Sequence, residues 1–136
     1  MQFNGVIQRK LALLDDKILW LERNFGRLER EAFLADELRL AAAERGLQVA
    51  VEIVIDIAER LVALHGAGPV ASAGEAIEKL AHLGIVRKAE VYQQMVRFRN
   101  FIVHQYATVD PSIVYQIVTE QLADFRNFRD EIDNMH

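Results

Sequence analysis

From Asp36 to Leu64 the chain runs without a proline, and its apolar residues fall on nearly every side of a helical projection: Leu38, Leu40, Leu47, Val49, Val51, Ile53, Val54, Ile55, Ile57 and Leu61. A helix of that kind needs partners around it, so the rest of the chain must supply packing faces rather than a separate fold. The β-branched run from Val49 to Ile57 also fits a strand. The length of the segment and the i,i+4 spacing of Gln48, Glu52 and Asp56 favour helix. Asp36 is placed as its N-cap.

Amphipathic segments lie on both sides of it. Residues 5 to 24 carry Val6, Ile7, Leu11, Leu14, Ile18 and Leu21 at intervals of three and four, with Asn4 as N-cap and Gly26 as terminator. Between Arg27 and Ala35 the pattern blurs, leaving Phe33 and Leu34 as anchors. His65-Gly66-Ala67-Gly68-Pro69 is the clearest break. Ser72 with Glu75 forms a capping-box pattern that opens a third helix, Glu75 to Leu83, stopped by Gly84. A fourth helix is expected over 87–105. Asp110-Pro111 then reads as N-cap and first helical residue of a fifth, running through Val114, Val118, Leu122, Phe125 and Phe128 to Ile132. With two prolines and seven glycines in 136 residues, the expectation is one all-α domain over 1–136, a five-helix up-and-down bundle.

Composition narrows the function classes. The net charge of −4 and pI near 5.6 argue against a broad phosphate-tracking surface, while leaving room for a small basic cleft. No cysteine is present, so neither disulfides nor thiolate metal sites are available. No HExxH, EF-hand or glycine-rich phosphate loop occurs, and neither a metal nor a cofactor is expected. The apolar passages are interrupted by Glu52, Asp56, Glu59 and Arg60, too often for a bilayer span, and no secretory signal is evident. The expected location is the cytoplasm.

The fourth helix ends in an unusually polar stretch, Arg99-Asn100-Phe101-Ile102-Val103-His104-Gln105-Tyr106. At about 100° per residue, Val91, Met95, Phe98 and Ile102 make one apolar stripe, while Tyr92, Val96, Arg99, Val103 and Tyr106 make a second with heptad spacing. Two packing faces on one helix of a small bundle imply that the second meets another subunit. Arg99 and His104 lie about 140° apart on that helix and cannot readily converge within one chain. A two-fold axis would bring each to a counterpart.

Each side chain alone has an ordinary explanation. Arg99 fits an ion-pair partner for Glu52 or Asp56, His104 a cap for helix-end carbonyls, and Tyr106 a packed aromatic with a surface hydroxyl. The Glu52 and Asp56 carboxylates are either a solvated edge or a wall that supports Arg99 and His104. In combination, an imidazole that exchanges protons near neutrality and a permanent guanidinium suffice for metal-free attack of an RNA 2′-hydroxyl on its neighbouring phosphate.

The pattern Arg99-x-x-x-x-His104-x-Tyr106, with Asn100 after the arginine, resembles the signature of HEPN-domain proteins, and in particular of the HepT toxins paired with a minimal nucleotidyltransferase (MNT) antitoxin. Glu44-Arg45-x-Leu47-Gln48 leading into Ile55-Asp56-Ile57, Glu75-Ala-Ile-x-Lys-Leu80 and the helix beginning at Asp110 extend the resemblance over most of the chain. It implies a HEPN-like bundle that dimerises through the motif-bearing helix and acts as a metal-independent endoribonuclease with a composite site at the dimer interface. By the same resemblance Arg99 and His104 are catalytic, Asn100 assists them, Glu52 and Asp56 are possible supports, and Tyr106 is adenylylated by the cognate nucleotidyltransferase. RNA, a second copy of the chain and that antitoxin are the implied partners. A non-catalytic subunit that scaffolds a nucleotidyltransferase, or a purely structural helical dimer, fits the residues as well.

Overall fold

The computed structural model describes residues 5–104 and 109–135. Among them seven helices form: α1 (Gly5–Phe25), α2 (Arg30–Leu34), α3 (Glu37–Leu64), α4 (Ala73–His82), α5 (Ala89–His104), α6 (Pro111–Glu120) and α7 (Leu122–Asp133). The structure is all-helical, as the sequence implies. The expected N-cap Asn4 lies outside the described residues.

The central position of the long apolar segment follows through to packing. α3 touches each of the other six helices, and it buries Leu47, Val51, Val54, Ile55, Ile57, Leu61 and Val62. The Asp36 carboxylate caps it by accepting from the Leu38 and Arg39 amides, both at 3.1 Å. Its first turns project from the bundle: Leu38 is 84% exposed and Leu40 half-buried, so the apolar coat begins only near Ala43. α1 lies along α3 and buries Ile7, Leu11, Leu14, Ile18 and Leu21, the residues spaced for it in the sequence.

The expected count of five helices is corrected to seven among the described residues, and both extra elements have tertiary causes. Phe33 is fully buried, its ring 6.1 Å from that of Phe25 and 5.4 Å from that of Tyr115. That anchorage folds the blurred 27–35 stretch into the single short helix α2. The expected fifth helix breaks at Gln121, whose φ is −120° and ψ 9°. Its first half, α6, packs on α2, with the Tyr115 hydroxyl donating to the Leu28 carbonyl at 2.8 Å. Its second half, α7, turns onto α1, where Arg126 grips Glu22 at 3.0 and 3.2 Å. One straight helix could not follow both directions.

The start of α4 carries a variant of the expected capping box. The Ser72 Oγ accepts from the Glu75 amide at 3.1 Å, and the Glu75 carboxylate returns to the amide of Ala71 at 2.7 Å, one residue upstream of the usual target. Gly84, at φ +74°, ends this segment in the left-handed region that favours glycine. No described helix is long and apolar enough to cross a membrane.

Candidate active site

α5 is the helix that carries the polar signature, and its two halves have different surroundings. Its first half is core. Tyr92 is 0% exposed, its ring edge-on to Phe128 at 5.1 Å, and its hydroxyl donates to the Glu131 carboxylate at 2.6 Å. Burial first, and the Glu131 carboxylate second, push this phenol far above its ordinary range. Glu131 also accepts from the Arg87 amide at 2.8 Å, which ties the entry of α5 to α7. Val96 is buried beside Tyr92's turn of the helix.

This geometry corrects the heptad stripe read from the sequence. Tyr92 and Val96 face inward onto their own chain, so they are not part of an exposed second face. Of that stripe only Arg99 and Val103 remain half-exposed among the described residues. The other stripe, read as ordinary core, is less enclosed than expected. Met95 is buried, but Val91, Phe98 and Ile102 are only partly so. Val91, Met95 and Phe98 line a cleft of about 200 Å³ together with Val51 of α3 and Ile113 and Ile117 of α6.

From Phe98 onward α5 emerges from the bundle. Arg99 and Asn100 are half-buried, Phe101 is 42% exposed and His104 is exposed at the last turn. The Nε of Arg99 is the one buried side-chain polar atom without a hydrogen-bond partner among the described residues. An unpartnered buried donor on a permanent cation is costly to keep, and native structures seldom do so without a reason outside the fold.

The ordinary explanation for Arg99, an ion pair with α3, does not hold among the described residues. Asp56 pairs with Lys10 and with Arg60, the latter at 3.2 Å, and Glu52 faces Arg45 at 3.9 Å. Neither carboxylate bonds to Arg99, Asn100 or His104. α5 is unbroken from Ala89 to His104, so the angular separation of Arg99 and His104, about 140°, persists. Tyr106 lies outside the described residues.

Two groups outside the motif hold its helix in place. Glu131 fixes the buried end of α5, and Gln93 donates to the Gly74 carbonyl of α4 at 2.8 Å. No spacing rule links Tyr92 to Glu131 or Gln93 to Gly74; only the packed fold brings them together. Of the remaining histidines, His65 places Nδ1 2.9 Å from the Leu61 carbonyl at the end of α3 and His82 is exposed, as helix-end residues.

The family model described as ribonuclease HepT-like matches residues 14–132. Among solved structures, the tri-AMPylated HEPN toxin of Shewanella oneidensis, in complex with MNT antitoxin, superposes with a TM-score of 0.88 at 26% identity, covering 98% of this chain and 100% of that one. A toxin–antitoxin crystal structure with AMP-PNP gives 0.85 at 25% identity over 98% and 100% of the two chains. A toxin–antitoxin structure of MntA-HpeT with a tyrosine-to-alanine substitution gives 0.87 at 25% identity over 96% and 100%. Comparison with curated proteins finds no match.

Proposed function

The chain belongs to the ribonuclease HepT-like family, and we propose that it is the toxin of a toxin–antitoxin pair: a metal-independent endoribonuclease that works as a homodimer and is silenced by adenylylation of Tyr106. The observation that carries this reading is Arg99, a half-buried cation whose Nε has no partner among the described residues, five residues from an exposed histidine on a helix whose other half is locked into the core. The similar tri-AMPylated HEPN toxin in complex with MNT antitoxin, and the similar toxin–antitoxin structure with AMP-PNP, support the partner and the mode of silencing.

The chemistry follows from the side chains. A two-fold axis beside the outer half of α5 sets His104 of one protomer near Arg99 of its partner, which the 140° separation forbids within one helix. The imidazole takes the proton from an RNA 2′-hydroxyl and returns one to the departing 5′-oxygen. The guanidinium holds the phosphate and stabilises the negative charge that builds on it. Asn100, next to Arg99, orients the phosphate or the imidazole. Glu52 and Asp56 support the fold in this reading, through the ion pairs described above.

Two of the three tyrosines are engaged within the bundle, which favours Tyr106 as the acceptor. Tyr92 is buried with its hydroxyl on Glu131, and Tyr115 spends its hydroxyl on the Leu28 carbonyl. Nucleotide phosphates added beside the motif would compete with RNA for Arg99.

The test is cleavage of RNA by the purified chain in the presence of a chelator, with and without prior incubation with ATP, magnesium and the cognate nucleotidyltransferase. Arg99→Ala and His104→Ala are each expected to lower the rate by about 100-fold or more while leaving the oligomer intact. Incubation should add AMP mass and stop cleavage, and Tyr106→Phe should block both effects. Cleavage that persists in either alanine variant, or AMP found on Tyr92 or Tyr115, contradicts the proposal. A wild-type chain that cleaves no RNA yet binds the nucleotidyltransferase is a scaffold subunit instead.

A further inference from the structure

Arg23, Arg27 and Arg30 are all exposed, and among the described residues none of them forms an ion pair or a hydrogen bond. Arg23 is in the last turn of α1, Arg27 lies just beyond it, and Arg30 opens α2. Arg23 and Arg27 line an open cleft together with Arg126, the Glu22 partner, and with Thr119 and Glu120 of α6. Thr119 and Glu120 also line a second cleft, containing Arg30 and Tyr115. The two are therefore one groove along α6. Its charged lining is four arginines and two glutamates, in a chain whose net charge is −4.

The groove adjoins the apolar cleft beside α5. Gln116 lines its Arg30 end and also the apolar cleft that holds Phe98, the residue next to Arg99. Arg30 sits with its guanidinium over the Tyr115 ring, 5.7 Å from the centroid, and is exposed. Glu22 is held below the ordinary carboxylate range by the Arg126 hydrogen bonds and charge, and then by Arg27 and Arg23, so these cations share one field. A run of cations unpaired among the described residues, one of them set over an aromatic ring, suits a flexible polyanion that carries flat bases. An acidic protein surface would use the charges but has no flat bases to set beside Arg30 and Tyr115.

We infer that this groove is the exit path of single-stranded RNA, with Arg23, Arg27 and Arg30 on its phosphates and the open face of Arg30 against a base. The inference rests on the ribonuclease reading above and extends its substrate contacts from Arg99 across α6.

Binding is measured with the full-length His104→Ala protein, which leaves RNA intact, and a fluorescein-labelled single-stranded RNA 20-mer at a series of potassium chloride concentrations. Adding Arg23→Ala, Arg27→Ala and Arg30→Ala together is expected to weaken binding about tenfold and to lower the slope of log Kd against log salt by about 2, near 0.7 per lost phosphate contact. The corresponding triple lysine variant should keep the slope. A control that removes the same charge from α3, Arg39→Ala, Arg45→Ala and Arg60→Ala, should leave it unmoved. An unchanged slope in the groove variant, or an equal fall in the control, overturns the assignment. So does a groove variant that binds RNA normally but no longer co-elutes with the nucleotidyltransferase, because the groove is then a protein-docking face. If the wild-type chain cleaves RNA and the slope does not move, only the groove falls; if it neither cleaves nor binds RNA, the ribonuclease reading has fallen first.

Discussion

Tyr92 and Arg99 stand two turns apart on α5 with opposite relations to the fold. Tyr92 satisfies its hydroxyl inside the chain, on Glu131, and Arg99 leaves a buried nitrogen without a partner among the described residues. Tyr92→Phe removes one charge-assisted hydrogen bond from a packed ring, and is expected to cost about 1–2 kcal/mol in urea unfolding at neutral pH. The pH dependence has a definite sign. The folded phenol titrates above its unfolded value of about 10, so its contribution is complete below that value and is lost as pH rises beyond it, where the unfolded chain ionises first. The stability gap between wild type and Tyr92→Phe should therefore narrow above about pH 10; a constant gap would mean that the phenol is not the group responsible.

At the scale of elements, the close approach of α1 to α3 depends on Gly46. A Cβ there would stand 2.8 Å from the Leu21 Cδ2 and 3.0 Å from the Trp20 ring, and Leu21 is fully buried. Gly46→Val is expected to destabilise the protein by about 1–3 kcal/mol in thermal or urea unfolding, overpacking outweighing the gain in helix propensity. An unchanged or raised stability would show that α1 can shift away freely. The bounds of α1, α3 and α4 were legible because each is a long amphipathic or apolar period closed by its own signals, such as the Asp36 cap and the left-handed Gly84. The break at Gln121 was not, since Val118 and Leu122 keep helical spacing across it and only the separate docking of α6 and α7 bends the chain. The inward turn of Tyr92 was hidden for the same reason. Heptad spacing says that residues share a face, but which neighbour covers that face is decided by Phe128 and Glu131, far along the chain.

For the whole molecule, the bundle holds α5 by its first half and presents its second. The residues proposed for catalysis, Arg99, Asn100 and His104, all belong to the presented half, and the arginine groove along α6 adjoins the Phe98 cleft at Gln116. The motif itself was legible in the sequence as an excess of polar groups at a helix end. That Asp56 and Glu52 are engaged by Lys10, Arg60 and Arg45, and that Arg99 has no counterion among the described residues, required the packed structure. An arginine and a histidine splayed about 140° apart on one rigid helix make a working pair only when a second copy supplies the missing member. The most direct measurement is RNA cleavage by a heterodimer, purified through two tags, that joins one Arg99→Ala protomer to one His104→Ala protomer. Each homodimer should be inactive, and the heterodimer should recover between about a tenth and a half of the wild-type rate, since one intact Arg99 then faces one intact His104. A heterodimer as inactive as its parents, beside an active wild type, would place both groups in a single chain and contradict a shared site.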